Sequence, residues 1–272
     1  MSNKDIFLND VKSGENTKIS LMVMRVMFRD TTKVVAILAD KSGDIKATIP
    51  CKKGDVTEGR VILVEGKKDG NFDVRKYEFI DEYEIESSLE KIKESDILIA
   101  QFETAEEMTL KAFKRAKEFG KVTILNPAPA KEINEELLKV TDIIVPNETE
   151  AEVLTGVTVE TLEDANRAGQ IFLEKGVKFV IITLGDKGAA VIGKDFCELV
   201  PGYKVKAIDT TAAGDSFIGG LSSKLDFKNI NKETLIKAVN FGNKVSSISV
   251  QRKGAQPSIP YLKEVEEIYE ED

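Results

Sequence analysis

The stretch Asp209-Thr210-Thr211-Ala212-Ala213-Gly214-Asp215 decides the fold of the larger part of this chain. It follows Tyr203-Lys204-Val205-Lys206, whose alternating polarity predicts a strand, and it precedes residues 216–221, whose composition predicts a helix start. Small residues let backbone N–H groups approach a charged group closely, and a helix N-terminus adds unpaired donors and a partial positive charge. The stretch therefore predicts an anion site, where Asp215 can take a proton from a hydroxyl that attacks phosphorus.

Residues 89–272 alternate between short apolar segments and amphipathic segments. Strands are predicted at 96–100, 122–125, 142–145 and 178–183, and helices at 105–119, 148–154, 162–175 and 232–250. This alternation is typical of a mostly parallel sheet with helices on both faces. Ligands of such folds bind at the carboxyl ends of the strands.

Polar segments lie at those strand ends and after the last long helix. They are Asn126-Pro127-Ala128-Pro129-Ala130, Pro146-Asn147-Glu148-Thr149-Glu150, Thr183-Leu184-Gly185-Asp186-Lys187-Gly188 and Arg252-Lys253-Gly254-Ala255-Gln256-Pro257-Ser258. Together with residues 209–215, they resemble the motifs of the ribokinase-like (PfkB) carbohydrate kinases, in the same order and at plausible spacing. The resemblance runs from about residue 90 to the C-terminus. It implies a three-layer α/β fold and ATP-dependent phosphorylation of a sugar hydroxyl, with Mg²⁺ and K⁺ as cofactors.

The resemblance also implies roles for individual residues. Asp215 corresponds to the base that activates the sugar hydroxyl, and Ala212, Ala213 and Gly214 correspond to the anion hole. Glu103 matches a sugar-contacting glutamate. The residues that correspond to the nucleotide, phosphate and magnesium site are Asn147, Glu150, Thr183, Gly185, Gly188 and Asn243. The residues that match the potassium-binding loops, several through backbone carbonyls, are Asp209, Thr211, Ser249, Arg252, Gly254 and Ser258.

Each of these residues also has a purely structural interpretation. Asn126 and Asn147 can cap helices, and Glu103 and Glu150 can be surface charges. Gly185 and Gly188 can serve a turn, because Asp186-Lys187-Gly188 has good turn chemistry. Their joint occurrence at strand ends favours an ATP site of the sugar-kinase type.

Composition excludes several other classes of function. The 272 residues include no histidine, which rules out a Ser-His-Asp triad, a Cys-His pair and a histidine metal site. The net charge of −8 argues against strong non-specific binding of nucleic acid. No apolar run of about 18 residues occurs, so no membrane span is expected. Cys51 and Cys197 lack metal or redox spacing, which favours a cytoplasmic location.

The first eighty residues have a β pattern. Strands at 18–28, 33–38, 45–49, 60–64 and 72–80, in meander order, predict a closed five-stranded barrel of the OB type. The segment resembles OB-fold modules of some exoribonucleases and anticodon-binding proteins. Such barrels bind single-stranded nucleic acid through basic and aromatic side chains, and the candidates here are Arg25, Phe28, Arg29, Lys46, Arg75 and Tyr77. Residues 1–80 carry 15 Lys and Arg against 12 Asp and Glu, so binding should be weak; alternatively, the aromatic residues belong to the core.

The composition predicts an OB-like barrel at 1–80, an acidic linker at 81–88 and a ribokinase-like domain at 89–272. The N-terminal lobe of a ribokinase, which covers the sugar, is expected to be absent. Sugar binding should then be impaired, and the sheet should have an apolar edge that is covered by the barrel, by a partner chain such as a second copy, or not at all. The alternative functions are a nucleic-acid-binding protein with a weakly active kinase-derived half, and a fusion without joint function.

Overall fold

A computed structural model of the chain describes residues 7–51, 56–58, 60–79, 85 and 88–269. The chain divides into two compact units, one of Met1–Lys91 with Glu103–Ala112 and the other of Ile92–Phe102 with Phe113–Asp272. The predicted boundaries at residues 80 and 89 remain predictions. Of the predicted linker, only Ile85 and Ser88 are among the described residues.

The first unit contains a closed five-stranded barrel, which confirms the predicted architecture. Its strands are β1 (Asn16–Arg29), β2 (Lys33–Asp40), β3 (Gly43–Pro50), β4 (Val61–Asp69) and β5 (Asn71–Phe79). The interior is filled by alternate residues of each strand, such as Ile19, Leu21 and Val23 of β1, which are buried.

The predicted meander order of the barrel is wrong. The order is β1-β2-β3-β5-β4, with β3 and β5 parallel and β4 returning to β1. The reason is the length of β1, which pairs with β4 over residues 16–22 and with β2 over residues 22–29. Register shifts beyond Val23 and Val26 mark bulges, which bend a strand and let it serve both neighbours.

The second unit is built on a six-stranded sheet in the order β11-β10-β9-β8-β7-β6. Its strands are β6 (Ile97–Gln101), β7 (Val122–Asn126), β8 (Ile143–Ile144), β9 (Phe179–Thr183), β10 (Gly188–Gly193) and β11 (Phe196–Pro201). Strands β6 to β9 are parallel as predicted, and β10 and β11 add an antiparallel hairpin that the prediction had missed.

The helices of the described residues are α1 (Leu89–Glu94), α2 (Glu106–Glu118), α3 (Glu135–Lys139), α4 (Glu148–Thr155), α5 (Leu162–Glu174), α6 (Ala213–Lys224), α7 (Lys232–Ser249) and α8 (Leu262–Ile268). Four of them, α2, α4, α5 and α7, lie where the apolar periodicity predicts them, with ends shifted by at most one residue. Helix α6 begins three residues before its predicted start, and α1, α3 and α8 were not predicted. No helix among the described residues is long and apolar enough to cross a membrane.

Helices cover both faces of the sheet and make it the middle of three layers. Ile192 of β10 contacts α5 so closely that a Cβ on Gly169 would lie 2.9 Å from its side chain. The preceding residue, Val191, points to the opposite face and packs in one core with Phe217 and Leu221 of α6.

Helices α6 and α7 cross at two glycines. A Cβ on Gly220 would lie 3.1 Å from the Cα of Gly242, and a Cβ on Gly242 would lie 2.9 Å from the carbonyl oxygen of Phe217. This close approach fixes the start of α6 against a long, mostly buried helix.

The predicted strand at Tyr203–Lys206 is absent. The strand before the 209–215 stretch is β11, which ends at Pro201. Residues 204–207 are exposed, and no strand among the described residues pairs with them. Alternating polarity alone does not make a strand when no neighbouring strand supplies backbone partners.

Candidate functional site

The stretch 209–215 forms a tight turn that leads into α6. The Asp209 carboxylate accepts hydrogen bonds from the backbone N–H (2.9 Å) and the hydroxyl (2.6 Å) of Thr211. It also accepts one from the backbone N–H of Gly254 (2.9 Å). The Thr211 hydroxyl, followed by the two N–H groups, lowers the pKa of Asp209 to about 2. Asp209 therefore stays ionised at neutral pH and ties its own loop to the loop at 252–258.

The predicted anion hole lies where α6 begins. Ala212 has φ 60° and ψ 17°, in the left-handed region. The N–H of Ala213 donates to the carbonyl of Thr210 (3.1 Å), so it is already used within the turn. Gly214 and Asp215 follow in the first helical turn, where N–H groups have no partner within their own helix. These two N–H groups are the donors best placed for an anion.

Asp215 is exposed, and its carboxylate is held from the neighbouring sheet. Gln101, the last residue of β6, donates from Nε2 to Asp215 Oδ1 (2.9 Å) and to Asn126 Oδ1 (2.8 Å). Asn126 is the last residue of β7 and donates to the carbonyl of Val145 (2.8 Å). The alternative interpretation of Asn126 as a helix cap is therefore wrong, because its amide joins strand ends instead.

A cleft of about 490 Å³ opens beside the start of α6. Among the predicted residues, those that line it are Asn147, Thr183, Gly185, Gly188, Ala213, Gly214 and Asn243. Its size is in the range of small-molecule sites, and its backbone N–H donors and helix terminus suit a nucleotide with phosphates. The structure therefore brings together most of the predicted nucleotide-binding residues, although Glu150 and Ala212 are not among those that line the cleft.

Asn147 and Glu150 cap α4 reciprocally. The Asn147 Oδ1 accepts from the N–H of Glu150 (2.8 Å), and the Glu150 carboxylate accepts from the N–H of Asn147 (2.9 Å). Burial raises the pKa of Glu150. The structural interpretation of Asn147 as a cap is thus confirmed. One carboxylate combined with substrate phosphates and water is a common way to bind Mg²⁺, so these residues fit that ion.

The two glycines at the end of β9 differ in what they require. A Cβ on Gly188 would lie 2.1 Å from the carbonyl oxygen of Val200, so only glycine fits there. Gly185 has φ 56° with open space beside it, so its need is conformational. Across the cleft, Asn243 is buried and donates from Nδ2 to the carbonyls of Val200 (3.2 Å) and Pro201 (3.1 Å).

The residues of the predicted potassium loops lie around a buried chain of hydroxyl groups. The Ser216 hydroxyl donates to the carbonyl of Ala212 (2.7 Å), and its oxygen lies 3.0 Å from Ser249 Oγ, which in turn lies 2.9 Å from Ser258 Oγ. Arg252 pairs with Glu264 at 2.8 Å. The backbone carbonyls of Ser249, Ser258 and Arg252 are oxygen donors that these loops can offer a cation. Carbonyl and carboxylate oxygens are suitable donors for K⁺, so the loop pair fits that ion.

Glu103 is exposed in the turn after β6 and belongs to the first compact unit. Its contact with a sugar remains a prediction. A second cavity, of about 340 Å³, lies along α6 and is lined by Asp215, Ser216, Ser223 and Lys224 together with apolar residues of α7 and the C-terminal segment.

Sequence reasoning missed Gln101 and several residues that line the cleft. The latter include Glu148, Thr149, Asp186, Tyr203, Phe217 and Ser246. The argument that selected Asn126 applies equally to Gln101, since both are polar residues at the end of an apolar strand. Tyr203 was missed as a residue of the cleft because the alternating polarity of its segment predicts a strand.

Comparisons with known proteins agree with this geometry. Residues 53–262 match the pfkB family carbohydrate kinases. The chain is 47% identical over 174 residues to a ribokinase of Staphylococcus aureus and 38% identical over 241 residues to a ribokinase of Haemophilus influenzae. The structure of an Arabidopsis thaliana ribokinase, complexed with ribose and ATP, matches with a TM-score of 0.64 at 28% identity.

The matches are partial in length. The aligned regions cover 64% and 89% of this chain, and 56% and 73% of the Staphylococcus and Haemophilus proteins, respectively. The Arabidopsis comparison covers 78% of this chain and 69% of that structure. The family match begins at residue 53, earlier than the predicted position near residue 90, and it includes β4 and β5 of the barrel.

Proposed function

Because the chain belongs to the pfkB family of carbohydrate kinases, we propose that it transfers a phosphoryl group from ATP to a hydroxyl of a ribose-like sugar. The observation that carries this proposal is the start of α6, where two consecutive residues face two cavities. Gly214 lines the cleft, and Asp215 lines the second cavity. A phosphate at the N–H groups of the first turn would then lie next to the carboxylate that must activate the acceptor.

In the proposed reaction, ATP occupies the cleft with its γ-phosphoryl group at the N-terminus of α6. The carboxylate of Asp215 takes the proton of the sugar hydroxyl while the hydroxyl oxygen bonds to the γ-phosphorus, and the bond from phosphorus to the ADP oxygen breaks. The chain has no histidine, so the proton must pass to a carboxylate or another side chain. The N–H groups of Gly214 and Asp215 stabilise the charge on the transferred group.

The two ions of the proposal have separate places. Asn147 and Glu150 would hold Mg²⁺ through water, and the loops at 209–211 and 252–258 would hold K⁺ through oxygen atoms. When bound, both ions supply positive charge that offsets the charge of the phosphates.

We expect sugar binding to be weak. The second cavity is walled by Phe241, Val245 and Ile259 and offers few polar groups apart from Asp215 and Lys224. A sugar needs directed hydrogen bonds to displace its water. The KM for sugar should therefore be high, turnover low compared with that of a complete ribokinase, and ATP hydrolysis without sugar should compete. Glu103 is the further side chain that we propose to contact the sugar.

The test is a phosphoryl-transfer assay with ATP, Mg²⁺, K⁺ and a panel of pentoses and hexoses. Asp215→Asn keeps the shape of the side chain but removes the base, so turnover should fall by about 10²–10⁴-fold. Calorimetry should still detect ADP binding to this variant. Asp195→Asn, an exposed change between β10 and β11, is the matched control and should keep full activity.

Two results would count against the proposal. Full activity of Asp215→Asn would remove the base from the mechanism. A folded wild type that shows no calorimetric signal with millimolar ADP and Mg²⁺ would remove the nucleotide site.

A second candidate function rests on the barrel surface. Arg25 and Phe28 of β1 are both exposed, and Phe28 exposes 52% of its surface. Tyr77 packs against the barrel core, and the Arg29 guanidinium donates to the carbonyl of Val56. We propose weak binding of single-stranded nucleic acid through Arg25, Phe28, Lys46 and Arg75. Fluorescence anisotropy with labelled oligonucleotides should show affinity that falls steeply with salt, and tight binding that ignores salt would contradict this electrostatic interpretation.

The edge of the sheet suggests an assembly. Strand β6 is the last strand of its sheet, and its residue Ile99 exposes 41% of its surface. We propose that a second copy of the chain covers this edge. Light scattering should detect a dimer that Ile99→Lys weakens. The cytoplasmic location remains a prediction.

A further inference from the structure

Gln101 occupies a position between the proposed base and the sheet. Its Nε2 atom lies 2.9 Å from Asp215 Oδ1 and 2.8 Å from Asn126 Oδ1. An amide nitrogen carries two hydrogens, so one of them can serve each oxygen. Gln101 ends β6, Asn126 ends β7 and Asp215 lies in the first turn of α6, so one side chain joins three elements of the site.

The orientation of both amides follows from the hydrogen-bond network. Asn126 Nδ2 donates to the carbonyl of Val145 (2.8 Å), and a carbonyl can only accept. The other atom of that amide, Oδ1, must therefore face Gln101, and Gln101 must present its NH₂ group. The same NH₂ group then necessarily faces Asp215. The Asn126 side chain is buried, which holds the network in this arrangement.

We propose that Gln101 is a positioning residue for Asp215, an inference that rests on the proposed kinase function. The N–H of Gln101 holds Oδ1 of Asp215, so that Oδ2 of Asp215 is directed at the acceptor hydroxyl of the sugar. Asp215 is exposed, so without this contact its carboxylate is free to turn among its rotamers and the reactive oxygen loses its fixed place. Misplacement of a catalytic group by about 1 Å can cost about 10²-fold in rate.

A purely structural role for Gln101 makes different predictions. If the amide served only to join β6 to β7, its loss would lower stability. Nucleotide affinity and the rate of the chemical step would both stay unchanged. The positioning role predicts that kcat falls while nucleotide affinity stays the same, and loss of the bond to the buried Asn126 lowers stability under either role. It also predicts that the sign of the charge at this position matters, because the neighbour is a carboxylate.

The experiment compares Gln101→Met, Gln101→Glu and the control Gln170→Met with the wild type. Methionine keeps the length of the side chain and removes the donor, whereas glutamate places an acceptor and a charge beside Asp215. Gln170 lies on α5 and donates to Asn166 of the same helix, so the same substitution there removes a comparable amide bond away from the site. The readouts are kcat, KM for ATP and sugar, the Kd of ADP and the thermal midpoint.

We expect kcat of Gln101→Met to fall by about 10- to 100-fold and that of Gln101→Glu to fall further. The Kd of ADP should stay that of the wild type, the thermal midpoint should fall in both variants because the buried Asn126 Oδ1 loses its donor, and Gln170→Met should be unchanged throughout. Wild-type kcat in Gln101→Met would overturn the inference. Equal loss of kcat in Gln101→Met and Gln101→Glu would also overturn it, because a carboxylate beside Asp215 would then have no effect of its own.

If neither the wild type nor the variants have activity, crystal structures of the wild type and Gln101→Met test the positioning of Asp215 instead. Inactivity of the wild type would refute the proposed function but not the placement of Asp215. Positioning then requires one Asp215 rotamer with its oxygen about 3 Å from Gln101 in the wild type, and more than one rotamer in the variant. An unchanged single rotamer in Gln101→Met would overturn the inference.

Discussion

Ala212 shows how a single residue shapes the candidate site. Among the described residues, Ala212 is the only one other than glycine that has a positive φ. Its carbonyl accepts both the N–H (2.9 Å) and the hydroxyl (2.7 Å) of Ser216. These two bonds hold the left-handed turn that opens the first N–H groups of α6 toward the cleft. Such a conformation costs about 1 kcal/mol or more for a residue with a Cβ, and the cost rises with branching.

Ala212→Val should therefore destabilise the protein, by about 2 kcal/mol, because a β-branched side chain resists the left-handed region. Ala212→Gly is the matched control, since glycine adopts the same φ without strain, and its stability should stay close to that of the wild type. Urea unfolding of the three proteins measures the difference. Equal stability of the valine and glycine variants would show that the turn has relaxed away from φ 60°.

At the scale of secondary-structure elements, one buried carboxylate joins three parts of the second unit. Asp142, just before β8, pairs with Lys117 of α2 (2.6 Å) and with Lys178 before β9 (2.9 Å). It also accepts from the N–H and the hydroxyl of Thr123 in β7. Burial by itself raises the pKa of Asp142, but the hydrogen bonds from both lysines and Thr123 outweigh it, so the net effect lowers the pKa.

Asp142→Ala should cost about 3 kcal/mol of stability, because it leaves buried donors without an acceptor. Glu136 is a matched control: it also pairs with two lysines, Lys114 and Lys139, but on an exposed surface. Glu136→Ala should leave the denaturation midpoint nearly unchanged. Equal effects of the two substitutions, measured by chemical denaturation, would contradict the role assigned to burial.

The loop pair around Asp209 gives an acid-dependent prediction. The pKa of Asp209 is lowered from 3.8 to about 2, so the stability it contributes is fully present above pH 3.8 and is lost as the pH falls through about 2. Asp209→Asn should remove the change of stability with pH in that range. It should also weaken the hydrogen bond that holds the N–H of Gly254. Thermal midpoints between pH 5 and pH 2 provide the measurement. A variant curve parallel to that of the wild type over this range would refute the linkage.

At the scale of the whole molecule, the two compact units have separate cores. The barrel closes on itself through the pairing of β1 with β4 and is filled by its own apolar residues. The family match nevertheless crosses the predicted boundary at residue 80, because it begins at residue 53.

A fragment of residues 1–87 should fold alone, since every strand of the barrel lies within it. Its amide spectrum should be dispersed, whereas a fragment of residues 1–58 lacks β4 and β5 and should be unfolded. If residues 1–87 prove unfolded while the full chain is folded, the barrel depends on the remaining residues of its compact unit, 88–91 and 103–112.

The sequence by itself determined the strand–helix alternation, the helix ends at Gly120, Gly156 and Gly176, and several of the residues that line the cleft. These features are local: an apolar period, a glycine with positive φ and a polar residue at a strand end each leave a mark within a few residues. The five barrel strands were predictable for the same reason. Asp215 was predicted from the residues beside it in the chain, which form the turn and the helix start that surround its backbone.

Only the tertiary structure decided which strands pair and which side chains meet. The pairing of β4 with β1 depends on a bend in a strand some forty residues earlier, and the absence of a strand at Tyr203–Lys206 depends on the lack of a neighbour. The bond from Gln101 to Asp215 joins residues 114 positions apart. Such contacts depend on how the chain closes over long distances, and no local pattern records that closure.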